Sequence, residues 1–195
     1  MSSSPNPDPK APLNTFGWND YLLRGLWSFA VVSGWHTYYY AAESAHNERA
    51  SLIFCLDTRE SAGSWKSHPN GHILGDHEEA IGLGQLHALK GQNPQSLLDP
   101  EANIMETASR LAANRITIGN LLKDHNATAT PADVDRLVVA AYNRGPEAVF
   151  EDWQKGNPDA RTEHGNYAAD ILGREADLIA AGVFGAGPSG PDSQS

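Results

Sequence analysis

The sequence predicts a mainly α-helical domain, on three observations. Apolar residues recur at helical spacing in several long segments, strand-like alternation is scarce, and two segments place Pro directly after a polar residue, where helices begin. The first segment, Asp20 to about Ser44, starts at Asn19 or Asp20 and offers Leu22, Leu23, Leu26, Trp27, Ala30, Val31, Trp35 and Tyr38 as a core-facing stripe. The second, Asn47 to about Ser61, contains the apolar run Leu52-Ile53-Phe54-Cys55-Leu56. Pro100 to Lys123 and Pro131 to Tyr142 follow Asp99 and Thr130, and the first turn of a helix does not use the N–H that Pro lacks. Asn166 to Ala181 completes the series. Between about Gly63 and Pro94 lies a stretch rich in His, Gly, Asn and Pro, too long for an ordinary connection. Function is expected in this 63–94 region, which also has room for a short β-hairpin.

A chain of 195 residues suffices for one domain with a substantial core. Residues 1–15 read as a disordered leader, 16–182 as the domain and 183–195, rich in Gly, Pro and Ser, as a flexible tail. Fourteen Lys and Arg against 24 Asp and Glu give a formal net charge of -10, which excludes nucleic acid as the expected partner because phosphate binding needs clustered cations. Met1 to Pro12 shows neither a basic start followed by an apolar stretch nor a cleavage site, so no secretory signal is readable. Tyr21 to Ala42 is the most apolar stretch, but Arg24, His36 and two glycines interrupt it, so a soluble helix is expected rather than stable membrane insertion. The single cysteine, Cys55, excludes an internal disulfide and reads as a packed thiol. No cofactor is implied, and a monomer is expected.

The chemistry concentrates around Thr58-Arg59-Glu60-Ser61, where an apolar helix meets the polar loop. A carboxyl against apolar walls resists ionisation, and a protonated carboxylic acid near neutral pH is what the cleavage of a glycosidic bond needs. Three further segments follow in order: Gly82-Leu83-Gly84-Gln85, Asp99-Pro100-Glu101-Ala102-Asn103-Ile104 and Ala141-Tyr142-Asn143-Arg144-Gly145-Pro146. Together with Glu60-Ser61 they resemble the motifs of the transglycosylase SLT family over about half the chain. Arg59-Glu60-Ser61, Gly75-Asp76 and Tyr167-Ala168-Ala169-Asp170 are similar to the goose-type lysozymes. Two positions depart from that pattern. Gly84 stands where the family's Gly-Leu-Met-Gln motif has Met, which would loosen a groove wall. His87 stands where a second acidic residue is expected, which removes one candidate for holding a nucleophilic water.

The resemblance implies a lysozyme-like helical domain that cleaves the glycan strands of peptidoglycan at the β-1,4 bond between N-acetylmuramic acid and N-acetylglucosamine. Glu60 would be the general acid, with Ser61, Gln85, Tyr142, Asn143 and Tyr167 binding the sugars. In a hydrolase, Asp76 would act as base for water on the opposite sugar face, giving inversion. In a lytic transglycosylase, Glu60 would take back the proton from the muramoyl C6 hydroxyl, and the product would carry a 1,6-anhydro ring. The expected setting is synthesis in the cytoplasm and action on the cell wall, as a phage lysin, a virion-borne protein or a secreted effector.

Plainer readings stand beside each residue. Gly75-Asp76 is an ordinary turn pair, Asn143-Arg144-Gly145-Pro146 ends a helix by itself, and Gln85 is a loop amide able to satisfy backbone groups. His68, His72, Asp76, His77 and His87 raise a metal site, against which Pro69-Asn70-Gly71 argues by breaking any helix that would bring His68 and His72 to one face. The rival from another class is a non-catalytic wall-binding or virion structural domain that kept the fold, which the Gly84 and His87 departures permit. Trp27, Trp35 and Tyr38 to Tyr40 also leave open an aromatic helix that docks on a partner, although such stripes are usually core.

Overall fold

The computed structural model describes residues 10, 13–14, 17–61, 64–65, 67–75 and 79–184. In chain order the elements are α1 (Asp20–Val32), α2 (His36–His46), α3 (Ala50–Ser61), β1 (Leu74–Gly75), β2 (Ala80–Ile81), a 3₁₀ segment (Pro94–Leu98), α4 (Pro100–Asp124), α5 (Pro131–Arg144), α6 (Pro146–Gln154), a 3₁₀ turn (Glu163–Gly165) and α7 (Tyr167–Ala180). The fold is mainly α, with β1 and β2 forming a two-stranded antiparallel sheet that pairs Leu74 with Ile81 and Gly75 with Ala80. That short hairpin lies inside the 63–94 region, where the sequence left room for one.

Helix α3 is the axis of the molecule. Every residue from Ala50 to Thr58 is buried, as is Ser61, because a helix apolar on all sides must be covered on all sides. Helices α2, α4 and α7 provide that cover. Full burial of Leu52, Ile53, Phe54 and Leu56 contributes about 1.5–3 kcal/mol for each side chain. Cys55 is a buried free thiol, pushed up in pKa by its burial, which agrees with the packed-thiol expectation. Around Phe54 the rings of Trp27, Trp65 and Phe184 gather at centroid distances of 5.1, 5.8 and 5.9 Å, placing these aromatics in the core.

Several sequence expectations need correction here. The segment Asp20 to Ser44 is two helices, since Gly34 at φ +80° turns the chain between α1 and α2. The buried line then runs through Leu23, Ala30, Trp35 and Tyr39, while Leu22 and Val31 stay exposed. Asn47 does not open α3 but closes α2 in the left-handed conformation, φ 56°. The stop at Gly145-Pro146 is a break followed at once by a further helix, α6, for which Pro146 supplies the first turn. The residues 183 and 184 assigned to a tail include Phe184, which is buried against Trp27 at 4.3 Å; residues 185–195 lie outside the described residues, as do most of 1–15.

Helix starts follow their caps. Asp99 accepts from Ala102 N at 2.9 Å at the head of α4, and Thr130 with Asp133 forms a reciprocal capping box at the head of α5. On the side of the bundle formed by the α2–α3 connection, α4, α5 and α7, five charges interlock. Arg115 grips Glu48 through two bonds of 2.6 and 2.8 Å, Arg49 grips Glu175 through two of 2.8 Å, and both guanidiniums reach Asp135. Glu48 and Glu175 are buried, so these forked bonds are what makes their ionised forms tolerable. Among the described residues, no helix is long and apolar enough to cross a membrane.

Candidate active site

Glu60 occupies the last turn of α3 and faces an open cleft whose walls come from the hairpin region, α5 and the 3₁₀ turn before α7. The cleft has a volume of about 330 Å³ and is lined by Arg59, Glu60, Ala80, Gln85, His87, Tyr142, Asn143 and Glu163. A second compartment of about 200 Å³ continues from it, sharing Gln85, His87 and Tyr142 and adding Arg110, Ala113, Asn114 and Ala141. The two adjoin through these shared residues and together form one trough, mainly polar beside Glu60.

The carboxyl of Glu60 has its pKa raised, first by burial, with the Glu163 carboxylate adding to the rise. Two groups oppose this: the Tyr167 hydroxyl, which donates to Glu60 Oε1 in a short hydrogen bond, and the Arg59 guanidinium. Burial wins, so the protonated acid persists to higher pH than for a solvated glutamate. The motif Tyr167-Ala168-Ala169-Asp170 acquires a physical sense at this point. Asp170, one turn after Tyr167 on α7, forms an ion pair with Arg59 Nε at 3.0 Å, while the Arg59 guanidinium lies 5.6 Å from the centre of the Tyr167 ring. Residues 167 and 170 therefore clamp the pair 59 and 60. Trp18 Nε1 and Arg174 hold Asp170 in turn, at 2.6 and 3.1 Å.

The opposite wall, residues 80–87, hangs on Asn103 of α4. Fully buried, Asn103 accepts from Gly84 N at 2.8 Å and donates to the carbonyls of Ile81 and Leu97 at 2.9 and 2.8 Å. Satisfying three backbone groups with one amide is what an irregular buried loop needs. Gly82, at φ +74°, passes so close to Asn103 that a Cβ there would lie 2.5 Å from its Cγ. Gly84 is crowded as well: a Cβ would overlap Thr107 Oγ1 and come within 2.9 Å of the Tyr142 hydroxyl and 3.1 Å of Asp57 Oδ1. The expectation that Gly84 loosens the wall is thus corrected. Its lack of a side chain lets the loop approach α3, α4 and α5, and the Tyr142 hydroxyl donates to the Gly84 carbonyl at 2.9 Å.

The sequence candidates divide by placement. Glu60, Gln85, Tyr142 and Asn143 line the trough. Gln85 takes a left-handed backbone, φ 47°, and gives its amide N–H to the Gly82 carbonyl at 2.7 Å, so it also does the plain backbone work expected of a loop amide. Asn143 accepts from the Glu163 backbone N–H at 3.1 Å. Ser61 and Tyr167 do not line the trough. Ser61 is buried, donates to the Asp57 carbonyl at 3.0 Å and accepts from Trp65 Nε1 at 2.9 Å, and Tyr167 is buried and reaches the trough only through Glu60. Both are second-layer supports, because the helical turn that points residue 60 outward points residue 61 into the bundle. Asp76 lies outside the described residues, as does His77. Among the described residues no group of three or more His, Cys, Asp and Glu could hold a metal ion.

Sequence reasoning assigned no role to Arg59, Asn103, Thr107 or Asp57. Asn103 had a signal in its Asp-Pro-x-x-Asn motif. Asp57 had another: a carboxylate one turn before Glu60 in an otherwise apolar run. No protein-family model matches the chain, and no curated protein is similar to it at a significant level.

Proposed function

We propose that this protein cleaves the glycan strands of peptidoglycan at the muramoyl–glucosaminyl β-1,4 bond, with Glu60 as the general acid. The observation that carries this reading is a carboxyl whose burial favours its protonated form, placed in the wall of an open polar trough. A proton donor of that kind is the first requirement for expelling a glycosidic oxygen. The ordered motifs that resemble the transglycosylase SLT and goose-type lysozyme families lend further support, since Glu60, Gln85, Tyr142 and Asn143 from three of them meet around this one trough.

Glu60 gives its proton to the leaving oxygen, and Gln85 and Asn143 offer amides to the sugar hydroxyl and acetamido groups on either side. The Tyr167 hydroxyl stabilises the carboxylate left behind and keeps its oxygens aimed at the bond. From there two routes diverge. In the transglycosylase route Glu60 recovers a proton from the C6 hydroxyl of the muramoyl residue, whose oxygen attacks its own anomeric carbon, so one residue serves as acid and then base. In the hydrolase route a water attacks, with Asp76 as its base. The described residues lining the trough supply Glu163 as the only other carboxylate, and it is engaged by Arg59 at 3.0 Å.

Mass spectrometry of the soluble fragments released from purified peptidoglycan tests the reading. Anhydromuramoyl ends formed by the wild type and lost in Glu60→Gln establish the transglycosylase. Reducing muramic ends establish the hydrolase and turn attention to Asp76. No fragments from a folded wild-type protein overturn the proposal in favour of a glycan-binding or virion structural domain.

A further inference from the structure

Behind the 80–87 wall lies a buried polar cluster that the cleavage chemistry does not use. Asp57 of α3 is fully buried, and among the described residues no Lys or Arg forms an ion pair with it. Its Oδ2 accepts from the Tyr39 hydroxyl of α2 at 2.8 Å. Its Oδ1 and the Thr107 Oγ1 of α4 are both buried with no hydrogen bond of good geometry. Around the Cα of Gly84 these two atoms and the Tyr142 hydroxyl converge on one point, and the Thr107 hydroxyl is near enough to interact with both Asp57 and Tyr142.

A charged Asp57 has no counter-ion among the described residues, and isolated buried carboxylates are strongly disfavoured. The titratable groups facing it are Tyr39 from α2, Glu60 from its own helix and Tyr142 from α5, with the uncharged Thr107 from α4; none supplies positive charge. Burial, followed by the nearby Glu60 carboxyl, pushes Asp57 well up in pKa, against the lowering effect of the Tyr39 and Thr107 hydroxyls. As a neutral acid, Asp57 has one proton to donate and two oxygens to accept with, and the hydroxyls around it then have only one complete arrangement.

We propose that Asp57 is a positioning residue for the trough: its carboxylic acid donates to Thr107, Thr107 donates to Tyr142, and Tyr142 donates to the Gly84 carbonyl, so that one proton sets the direction of a chain holding the wall opposite Glu60. The arrangement satisfies Asp57 Oδ1 and Thr107 Oγ1, two of the three buried side-chain atoms left over in the hydrogen-bond pattern of the described residues, the third being His36 Nδ1. It also keeps negative charge away from Glu60, one helical turn away, which needs its own proton. The function assigned to this chain rests on the preceding proposal of glycan cleavage. The existence of the chain does not.

Two measurements on the full-length protein test it without relying on activity. Infrared difference spectra of wild type minus Asp57→Asn should show the C=O stretch of a protonated carboxylic acid at neutral pH; carboxylate bands in its place overturn the proposal. Amide hydrogen exchange across 82–86 should quicken about tenfold in Thr107→Val, which keeps the shape but cannot relay, and remain near wild type in Thr107→Ser. Equal exchange in Val and Ser variants, or no change in either, overturns it. If the wild type releases no glycan fragments, the cleavage reading fails while these two readouts still decide the role of Asp57.

Discussion

Replacing Gly84 by alanine should destabilise this protein, although the backbone there is one that alanine adopts freely. Gly84 is not among the glycines with positive φ, and at such positions Gly→Ala ordinarily stabilises by about 0.4–1 kcal/mol through the unfolded chain. Space reverses the sign. The new methyl would overlap Thr107 Oγ1 and stand 2.9 Å from the Tyr142 hydroxyl and 3.1 Å from Asp57 Oδ1, and these three side chains are carried by α4, α5 and α3, three packed helices that cannot all give way. Overpacking costs about 1–3 kcal/mol, and pushing the loop outward strains the Tyr142 hydroxyl's bond to the Gly84 carbonyl, about 1 kcal/mol more. The net expectation is a loss of about 1–3 kcal/mol, or a fall of about 2–12 °C in Tm for a chain of this size. Thermal unfolding of Gly84→Ala, Thr107→Ala and the double variant measures it. The double variant should recover about 1–2 kcal/mol beyond additivity, because removing Oγ1 removes the main obstacle. A Tm at or above wild type for Gly84→Ala would refute the close-approach account of this residue.

Three further outcomes follow from the same contacts. Because burial raises the pKa of Glu60 above that in the unfolded chain, the folded protein holds a proton that the unfolded chain releases, and stability falls as pH rises from the ordinary carboxylate range through the raised value. Glu60→Gln should therefore gain about 2–4 °C in Tm over wild type near pH 8 and gain little near pH 4, as read by thermal melts at the two pH values. Tyr167→Phe removes the donor that stabilises the Glu60 carboxylate; if Glu60 is the acid, the alkaline limb of the pH–rate profile should move to higher pH, with an unmoved limb counting against that coupling. Arg115→Met strands the buried carboxylate of Glu48 and should cost about 2–4 kcal/mol in urea unfolding, while adding Glu48→Gln should restore most of it, since the loss comes mainly from an unpaired buried charge.

Much of this molecule was readable from local pattern. Helices α4, α5 and α7 start where Pro100, Pro131 and the residues around Asn166 announce them, and Cys55 is buried as its apolar run implies. These features are set within a few residues of chain: a missing N–H, a capping oxygen, a period of 3.6. The polar candidates split for a related reason. Glu60 and Ser61 are adjacent in sequence and equal in the motif, but successive helical residues point about 100° apart, so the first faces the trough and the second is spent on Trp65 and the Asp57 carbonyl.

What local pattern left open was decided by packing between distant segments. Gly34 could have sat inside one long helix, and only the covering of α3 by α2 makes its positive φ a turn. Gly84 read as a missing side chain, and becomes a point of closest approach because α3, α4 and α5 each bring an oxygen to it. The sequence by itself determined the helical class, most helix starts and the identity of the residues around Glu60, since those depend on propensity and spacing along the chain. The tertiary structure alone decided that Tyr167 and Asp170 clamp Glu60 and Arg59, that Asn103 carries the opposite wall, and that Asp57 lies buried with no ion-pair partner among the described residues. The pKa and orientation of a carboxyl are properties of everything packed around it, and residues separated by more than a hundred positions supply that surrounding here.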